Sequence, residues 1–338
     1  MKRPFALCLF SVTLFVVAVW QLSAAAADDC KVITGEILLP EISGAAMLPG
    51  DRLLLVGDDK TAVYLLEGAS KRLLSRQVKA EEFQPLACNV KLDDLEDVAW
   101  DRDSSVYLVT SHSLNRQGEN KDKRHRIALL QLKDGKPQGE VEKASGMISQ
   151  LLPKELQSAE ARTPAQAGFN IEGAAWNAEG HLLLGLRSPT RVVATPERTD
   201  KLYENAIILR LKNPQKLFGS ADLPELSQET VSLDGRGIRG MYYDDQSKGC
   251  WILASLSPDP NYELRDAWSL WFWDEKRPPA QVEVPQAALI HLRKPEAVCR
   301  VMIDSHPYLL LIEDGDSARY ALFAVPALSS GPAPAGSH

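Results

Sequence analysis

Three glutamates each open an apolar, strand-like run. Glu96 lies in Leu95-Glu-Asp-Val-Ala-Trp-Asp101, Glu172 in Asn170-Ile-Glu-Gly-Ala-Ala-Trp176, and Glu296 in Pro295-Glu-Ala-Val-Cys-Arg-Val301. Two further runs of the same shape place Ser43 (Ile42-Ser-Gly-Ala-Ala-Met47) and Arg239 (Ile238-Arg-Gly-Met-Tyr-Tyr-Asp244) at that position. Each run is followed by a second apolar stretch that ends on polar residues: Asp58 and Asp59, Ser111 and His112, Arg187 and Ser188, Ser255, and Glu313 and Asp314. Carboxylates brought within a few ångströms raise one another's pKa or demand a cation, and buried charges need partners. Asp58, Glu96 and Glu172 are therefore candidate ligands for calcium or another divalent cation. Arg187 and Arg239 suit a small anionic molecule, with Asn170, Glu96, Glu296 and Arg116 of a neighbouring basic loop completing a binding set. His112, Glu172 and Arg187 form the candidate catalytic group, with His112 moving protons, and the chemistry they suit is metal-assisted hydrolysis of an ester or phosphoester. The bland alternative is that the acids and arginines pair and knit elements together, leaving a non-enzymatic scaffold that engages an envelope protein or a glycan.

These residues meet only if the runs stand side by side. Gly168 to Pro189, GFNIEGAAWNAEGHLLLGLRSP, reads as an antiparallel hairpin: Asn170 to Trp176, a turn at Asn177 to Gly180, and a return strand from His181 to Arg187. The other runs form four imperfect copies of it. Each is followed by further strand-like runs: Ala62 to Leu66 with Arg72 to Val78, Ile127 to Leu132, Ile207 to Leu211, Trp268 to Trp273 and Tyr320 to Val325. Three or four strands per unit, repeated around a ring, predict an all-β fold, a β-propeller of five recognisable blades with room for a sixth. The first strand of each blade would line the channel, so the five aligned residues would form a ring at one mouth. Val32 to Leu39 has no hairpin of its own and reads as the strand that completes the last blade and closes the ring. One long α/β domain would need regular helices between strands; only Ser145 to Glu160 looks helical, and Pro153 interrupts it.

Residues 1–27 read as a signal peptide: Lys2 and Arg3, an apolar run from Phe5 to Leu22, then a small-residue zone before Asp28. The chain would then be periplasmic or secreted, with residues 28–326 forming one propeller domain and 327–338 a frayed tail of Pro, Gly, Ala and Ser. Of 38 basic residues, Lys2 and Arg3 leave with the leader, so 36 face 45 acidic ones. That balance argues against nucleic acid as a partner. No later stretch is apolar enough to span a bilayer, and a monomer is expected. Cys30, Cys88, Cys250 and Cys299 remain, an even number, and Cys30–Cys88 with Cys250–Cys299 is the preferred pairing.

The order of Leu95-Glu-Asp-Val-Ala-Trp100, Thr110-Ser-His-Ser-Leu-Asn-Arg116, Gly168-Phe-Asn-Ile-Glu-Gly-Ala-Ala-Trp176, Leu184-Gly-Leu-Arg-Ser-Pro189, Gly237-Ile-Arg-Gly240 and Pro295-Glu-Ala297 resembles the bacterial domain of unknown function 3616 family. That resemblance covers most of residues 40–325 and implies a β-propeller without an assigned activity. The chain departs from the pattern at Asp97 and Ala297, where glycine is expected, and at Pro295, where a His-Pro pair usually leads. The Glu-Gly hairpin is also similar to that of esterase-like, phytase-type propellers, which implies calcium-assisted phosphoester hydrolysis.

Overall fold

A computed structural model describes residues 32–326 and 328, apart from 59–61, 135, 146, 196–197, 221 and 257–267. The leader, Cys30, Asp59 and nearly all of the tail fall outside the described residues. The chain builds five antiparallel sheets. Blade 1 contains β2 (Ile42–Leu48), β3 (Arg52–Gly57), β4 (Ala62–Glu67) and β6 (Gln84–Pro85). Blade 2 contains β7 (Leu95–Trp100), β8 (Ser105–Thr110), β9 (Arg126–Lys133) and β10 (Lys136–Ser145). Blade 3 contains β11 (Asn170–Trp176), β12 (Leu182–Ser188), β14 (Arg198–Lys212) and β15 (Glu225–Val231), with β13 (Arg191–Thr195) paired to the start of β14. Blade 4 contains β16 (Arg236–Asp244), β17 (Gly249–Leu256), β18 (Trp268–Trp273) and β19 (Ala280–Val282). Blade 5 contains β20 (Pro295–Ile303), β21 (His306–Glu313) and β22 (Ala318–Ala324). β1 (Ile33–Ile37) pairs antiparallel with β22, and β5 (Gln77–Val78) pairs with β1.

The inner strands touch in the cyclic order β2, β7, β11, β16, β20 and back to β2. The fold is thus a five-bladed β-propeller, and β1 closes its ring as expected from the sequence. Five apolar cores lie between successive blades, one per interface. Because both faces of a blade pack on neighbours, strands such as Leu182–Leu184 and Leu309–Ile312 are apolar without alternation. The aromatic run Trp271-Phe272-Trp273 is buried in β18 rather than displayed.

Every inner strand carries the same irregularity. Ile42 faces Gly57 and Gly44 faces Val56, so Ser43 has no partner in the ladder. Equivalent steps skip Glu96, Glu172, Arg239 and Glu296. These are β-bulges: two residues oppose one, and the extra side chain is re-aimed. In blade 3 the return strand also skips Arg187, since Asn170 faces Ser188 and Ile171 faces Leu186. The next residues, Gly44, Asp97, Gly173, Gly240 and Ala297, are all buried and close the axis. A Cβ on Gly240 would overlap the carbonyl of Glu296, and one on Gly44 would come within 2.6 Å of the Cα of Asp97.

Three expectations need correcting. Cys88, Cys250 and Cys299 are free thiols. Cys250 packs into the core between blades 3 and 4, and Cys299 into the core between blades 5 and 1. They face away from the interface they would have to share. The expected strand Arg72–Val78 is instead a short helix, Ala69–Leu73, followed by β5. The helix expected over Ser145–Glu160 is two short ones, Met147–Leu151 and Lys154–Gln157, parted at Pro153.

Candidate functional site

The connection 111–125 leaves the end of the second strand β8 on the side where the bulges lie. Tight turns join each first strand to its second strand at the opposite side. Loops carry function because a rigid scaffold frees them from packing, so the bulge mouth is the candidate site.

Blade 3 supplies its centre. Glu172 is 5% exposed. Its Oε1 accepts from Asn170 Nδ2 at 2.8 Å and from Arg187 Nη1 at 2.7 Å, and its Oε2 lies 3.7 Å from Arg239 Nη1. Burial pushes the Glu172 carboxyl up, but Arg187 and Arg239 outweigh it and hold it below the usual range. Glu172 in turn raises the Arg187 guanidinium. From blade 4, Arg239 Nη1 bonds Glu296 of blade 5, and Nε donates to Ser255 Oγ at 2.8 Å. Lys294 Nζ bridges Glu296 at 3.0 Å and Asp314 at 2.6 Å. Burial dominates at Glu296 and leaves its carboxyl raised despite Arg239 and Lys294.

Blades 1 and 2 supply acids without such partners. Glu96 is half-buried and makes no hydrogen bond or ion pair among the described residues. Burial, then Asp94, Glu172, Glu296 and Asp58, push its carboxyl well above the usual range. Asp58 is pushed up to about 8 by burial, by a hydrogen bond with Glu41, and by Asp314 and Glu296. One mouth thus holds an ion-paired wall on blades 3 to 5 and, on blades 1 and 2, two carboxyls that hold their protons more tightly than usual.

Four buried polar atoms here lack partners: Glu172 Oε2, Asn170 Oδ1, Asp58 Oδ1 and Arg239 Nη2. Such atoms are costly unless something fills them. Asp58, Glu96, Asn170, Glu172, Arg187, Arg239 and Glu296 therefore come together as the repeat implied. Among the described residues, however, no three His, Cys, Asp or Glu stand close enough to hold a metal ion together. Asp58, Glu96 and Glu172 share a mouth without forming a coordination sphere.

His112 and Arg116 do not join them. His112 has a left-handed backbone (φ 53°), its Nδ1 bonds the Thr110 carbonyl at 2.9 Å, and its ring packs edge-on to His125. Burial pushes it down to about 3, so it is neutral. Arg116 is exposed at the tip of a turn that Asn115 closes by accepting from the Gln117 and Glu119 amides. The rest of that basic loop is pinned: Arg124 pairs with Asp94 and donates to Ser113, and Lys123 pairs with Asp93. Lys294, missed in the sequence, belongs to the wall. Its signal was adjacency to Pro295-Glu296. Asp97, flagged as out of pattern, lies beneath the mouth. Its carboxylate accepts from Val98 N at 2.8 Å, Ala174 N at 2.6 Å and Met241 N at 3.3 Å, joining blade 2 to blades 3 and 4.

No protein-family model and no curated protein matches the sequence. Among solved structures, the chain is similar to the PQQ-bound aldose sugar dehydrogenase of Streptomyces coelicolor, at 13% identity over 88% of this chain and 99% of that one, with a TM-score of 0.43. It is also similar to a GH43 β-1,3-galactosidase bound to galactodeoxynojirimycin, at 10% identity over 87% and 92% of the two chains, TM-score 0.46. A third is the calcium-binding regucalcin of Agrobacterium tumefaciens strain C58, at 12% identity over 86% and 93%, TM-score 0.38. Likeness at this level assigns no activity, so function rests on the site itself.

Proposed function

We propose that the bulge mouth of this propeller binds a small polar molecule and hydrolyses an ester or phosphoester bond in it. The observation that carries this reading is that four buried polar atoms, three acceptors and one donor, have no hydrogen-bond partner and belong to residues grouped at this mouth. Glu172, held ionised with Oε2 paired to Arg239 but accepting no hydrogen bond, accepts from the attacking water and orients it. Glu96, whose carboxyl is pushed well above the usual range, gives its proton to the departing oxygen while the proton of the water passes to a carboxylate of the mouth. Arg239 Nη2 donates to the oxygen on which negative charge develops. Neighbouring carboxyls pushed in opposite directions are the arrangement that acid and base roles require. His112 takes no part.

Calcium or another divalent ion is an added proposal, supported by the similarity to phytase-type propellers and by the excess of acids. The donor set does not converge on a coordination sphere, and we derive no step through a metal. The test is a screen of the purified protein against phosphoesters, carboxylic esters and lactones, with and without calcium. Activity should fall at least a hundredfold in Glu172→Gln and in Glu96→Gln with melting temperature retained. Hydrolysis that survives both substitutions would remove the acid–base assignment. If calcium binds, melting should rise with it, and more at pH 9 than at pH 6, because Asp58 and Glu96 must first release protons. A scaffold that engages a glycan or an envelope protein is the second reading, favoured by the fact that Arg239 already spans blades 4 and 5 through Glu296.

A further inference from the structure

The connection Ser111 to His125 closes at its neck on two histidines, the only buried ones among the described residues. Their rings meet edge to face with centroids 5.8 Å apart. Each histidine belongs to one side of the neck. The His112 amide donates to the Arg124 carbonyl at 2.8 Å, and Thr110 Oγ1 donates to the same carbonyl at 2.6 Å. Arg124 Nε reaches back to the Ser113 carbonyl at 3.1 Å. From blade 3, the Ile171 amide donates to the Ser111 carbonyl at 2.8 Å and ties the neck to the neighbouring blade. His112 has a left-handed backbone, which a residue with a side chain keeps only where its surroundings enforce it.

Neither ring has a place for a second proton. His112 Nδ1 lies 2.9 Å from the Thr110 carbonyl, and a carbonyl only accepts, so Nδ1 carries the proton and Nε2 is bare. His125 Nε2 is buried with no hydrogen-bond partner, so an N–H there would lack an acceptor. Burial pushes both rings down. At His125 the Arg124 cation adds to that push and Asp122 opposes it. At His112 the Thr110 bond opposes it, and His125 is the one charged group that adds to it. Arg124 cannot swing away, because it pairs with Asp94 and donates to Ser113 Oγ at 2.8 Å. Both histidines are therefore neutral while the neck is closed. Once it opens, both reach water and regain an ordinary affinity for protons.

We infer that His112 and His125 form an acid-sensitive latch, which holds the 111–125 connection closed at the edge of the bulge mouth and releases it locally when protons are plentiful. The closed neck binds protons less tightly than the open one. The latch is thus complete above the ordinary histidine value of 6.5 and weakens as pH falls below it. Each histidine that takes its proton only in the open form raises the open population about tenfold per pH unit in that range. Release withdraws Arg124 from Asp94, whose charge bears on Glu96 of the mouth. The latch is independent of what the mouth binds or hydrolyses.

The test is residue-by-residue hydrogen exchange of the full chain at pH 7.5 and pH 5.0, corrected for intrinsic exchange. The amides of His112, Arg124 and His125, bonded to the carbonyls of Arg124, Lys121 and Asp122, report the neck. Those of Trp251 to Ala254, in the middle of β17, report the whole fold. Neck protection should fall at least tenfold at pH 5.0, with no fall in β17. In His112→Asn/His125→Phe, neck protection should differ less than threefold between the two pH values, since Asn tolerates a left-handed backbone and Phe keeps a ring in contact. Should that pair fail to fold, His125→Phe alone should shrink the acid response at least threefold. The inference is overturned if neck protection is the same at both pH values, or if β17 loosens in step with the neck. It is overturned as well if the full acid response survives in whichever variant folds.

Discussion

Arg239 is 2% exposed and bonded to Glu296 and Ser255, with Glu172 also near. Removing it takes one cation from each of two buried carboxylates and leaves Glu296 to Lys294 and Glu172 to Arg187. Arg239→Met should therefore cost about 3–5 kcal/mol of stability, read from denaturant midpoints. The double substitution Arg239→Met/Glu296→Met should cost less than the sum of its single parts, because it also removes one of the carboxylates that lost a cation. The acids of blade 1 set a pH dependence of opposite sense to an ordinary salt bridge. Asp58 rises from 3.8 to about 8 on folding, so the folded chain holds its proton more tightly than the unfolded one. That contribution to stability is complete below about pH 4 and lost as pH rises through about 8. Melting temperature should fall across this window, and Asp58→Asn should flatten the fall. At this scale the sequence showed the ring residues, because Ser43, Glu96, Glu172, Arg239 and Glu296 recur at one position of a repeat. It did not show Lys294, which precedes the repeated run by one residue. His112 was misplaced because a positive φ at that residue turns its ring back on Thr110, and no residue pattern records that turn.

At the scale of the element, the bulge is what makes the site. In a regular ladder Glu172 would alternate with its neighbours and face an inter-blade core. The extra residue shifts the frame by one and sends five side chains toward the axis instead. This was not legible in advance, since bulges leave no mark in apolar periodicity. The small residues after them were legible, and they are small because strands pass very close there. Gly240→Ala should destabilise by about 1–3 kcal/mol, since its Cβ would press on the Glu296 carbonyl and displace the bulge. Loss of enzymatic or binding capacity at the bulge mouth should accompany it, which separates the effect from a distant core cavity. The disulfides were misread for a related reason. Cys250 and Cys299 occupy neighbouring blades, yet the face each strand turns to the core is set by register, and register points them apart.

For the molecule as a whole, closure depends on β1. It pairs along β22 through five residues, Ile33 to Ile37, and also carries β5 on its other edge. A chain beginning at Val32 should melt cooperatively. One beginning at Pro40 should lose at least 10 °C or aggregate, because β22 and β5 would present unpaired edges; scanning calorimetry and light scattering would distinguish the two. The closing strand and the five hairpins followed from the sequence because each blade repeats one hairpin, but the sequence also left room for a sixth blade, and the structure has five. The single hairpin-less run at the start had one vacant place to go.

Asp97 and the small residues level with it fill the axis between the two mouths. For a ligand that enters at the bulge end the axis is consequently a blind alley. Whatever enters to react must depart by the route it came, and a spent molecule that lingers bars the next arrival. If the mouth is catalytic, product should compete directly with substrate, raising KM and leaving kcat untouched.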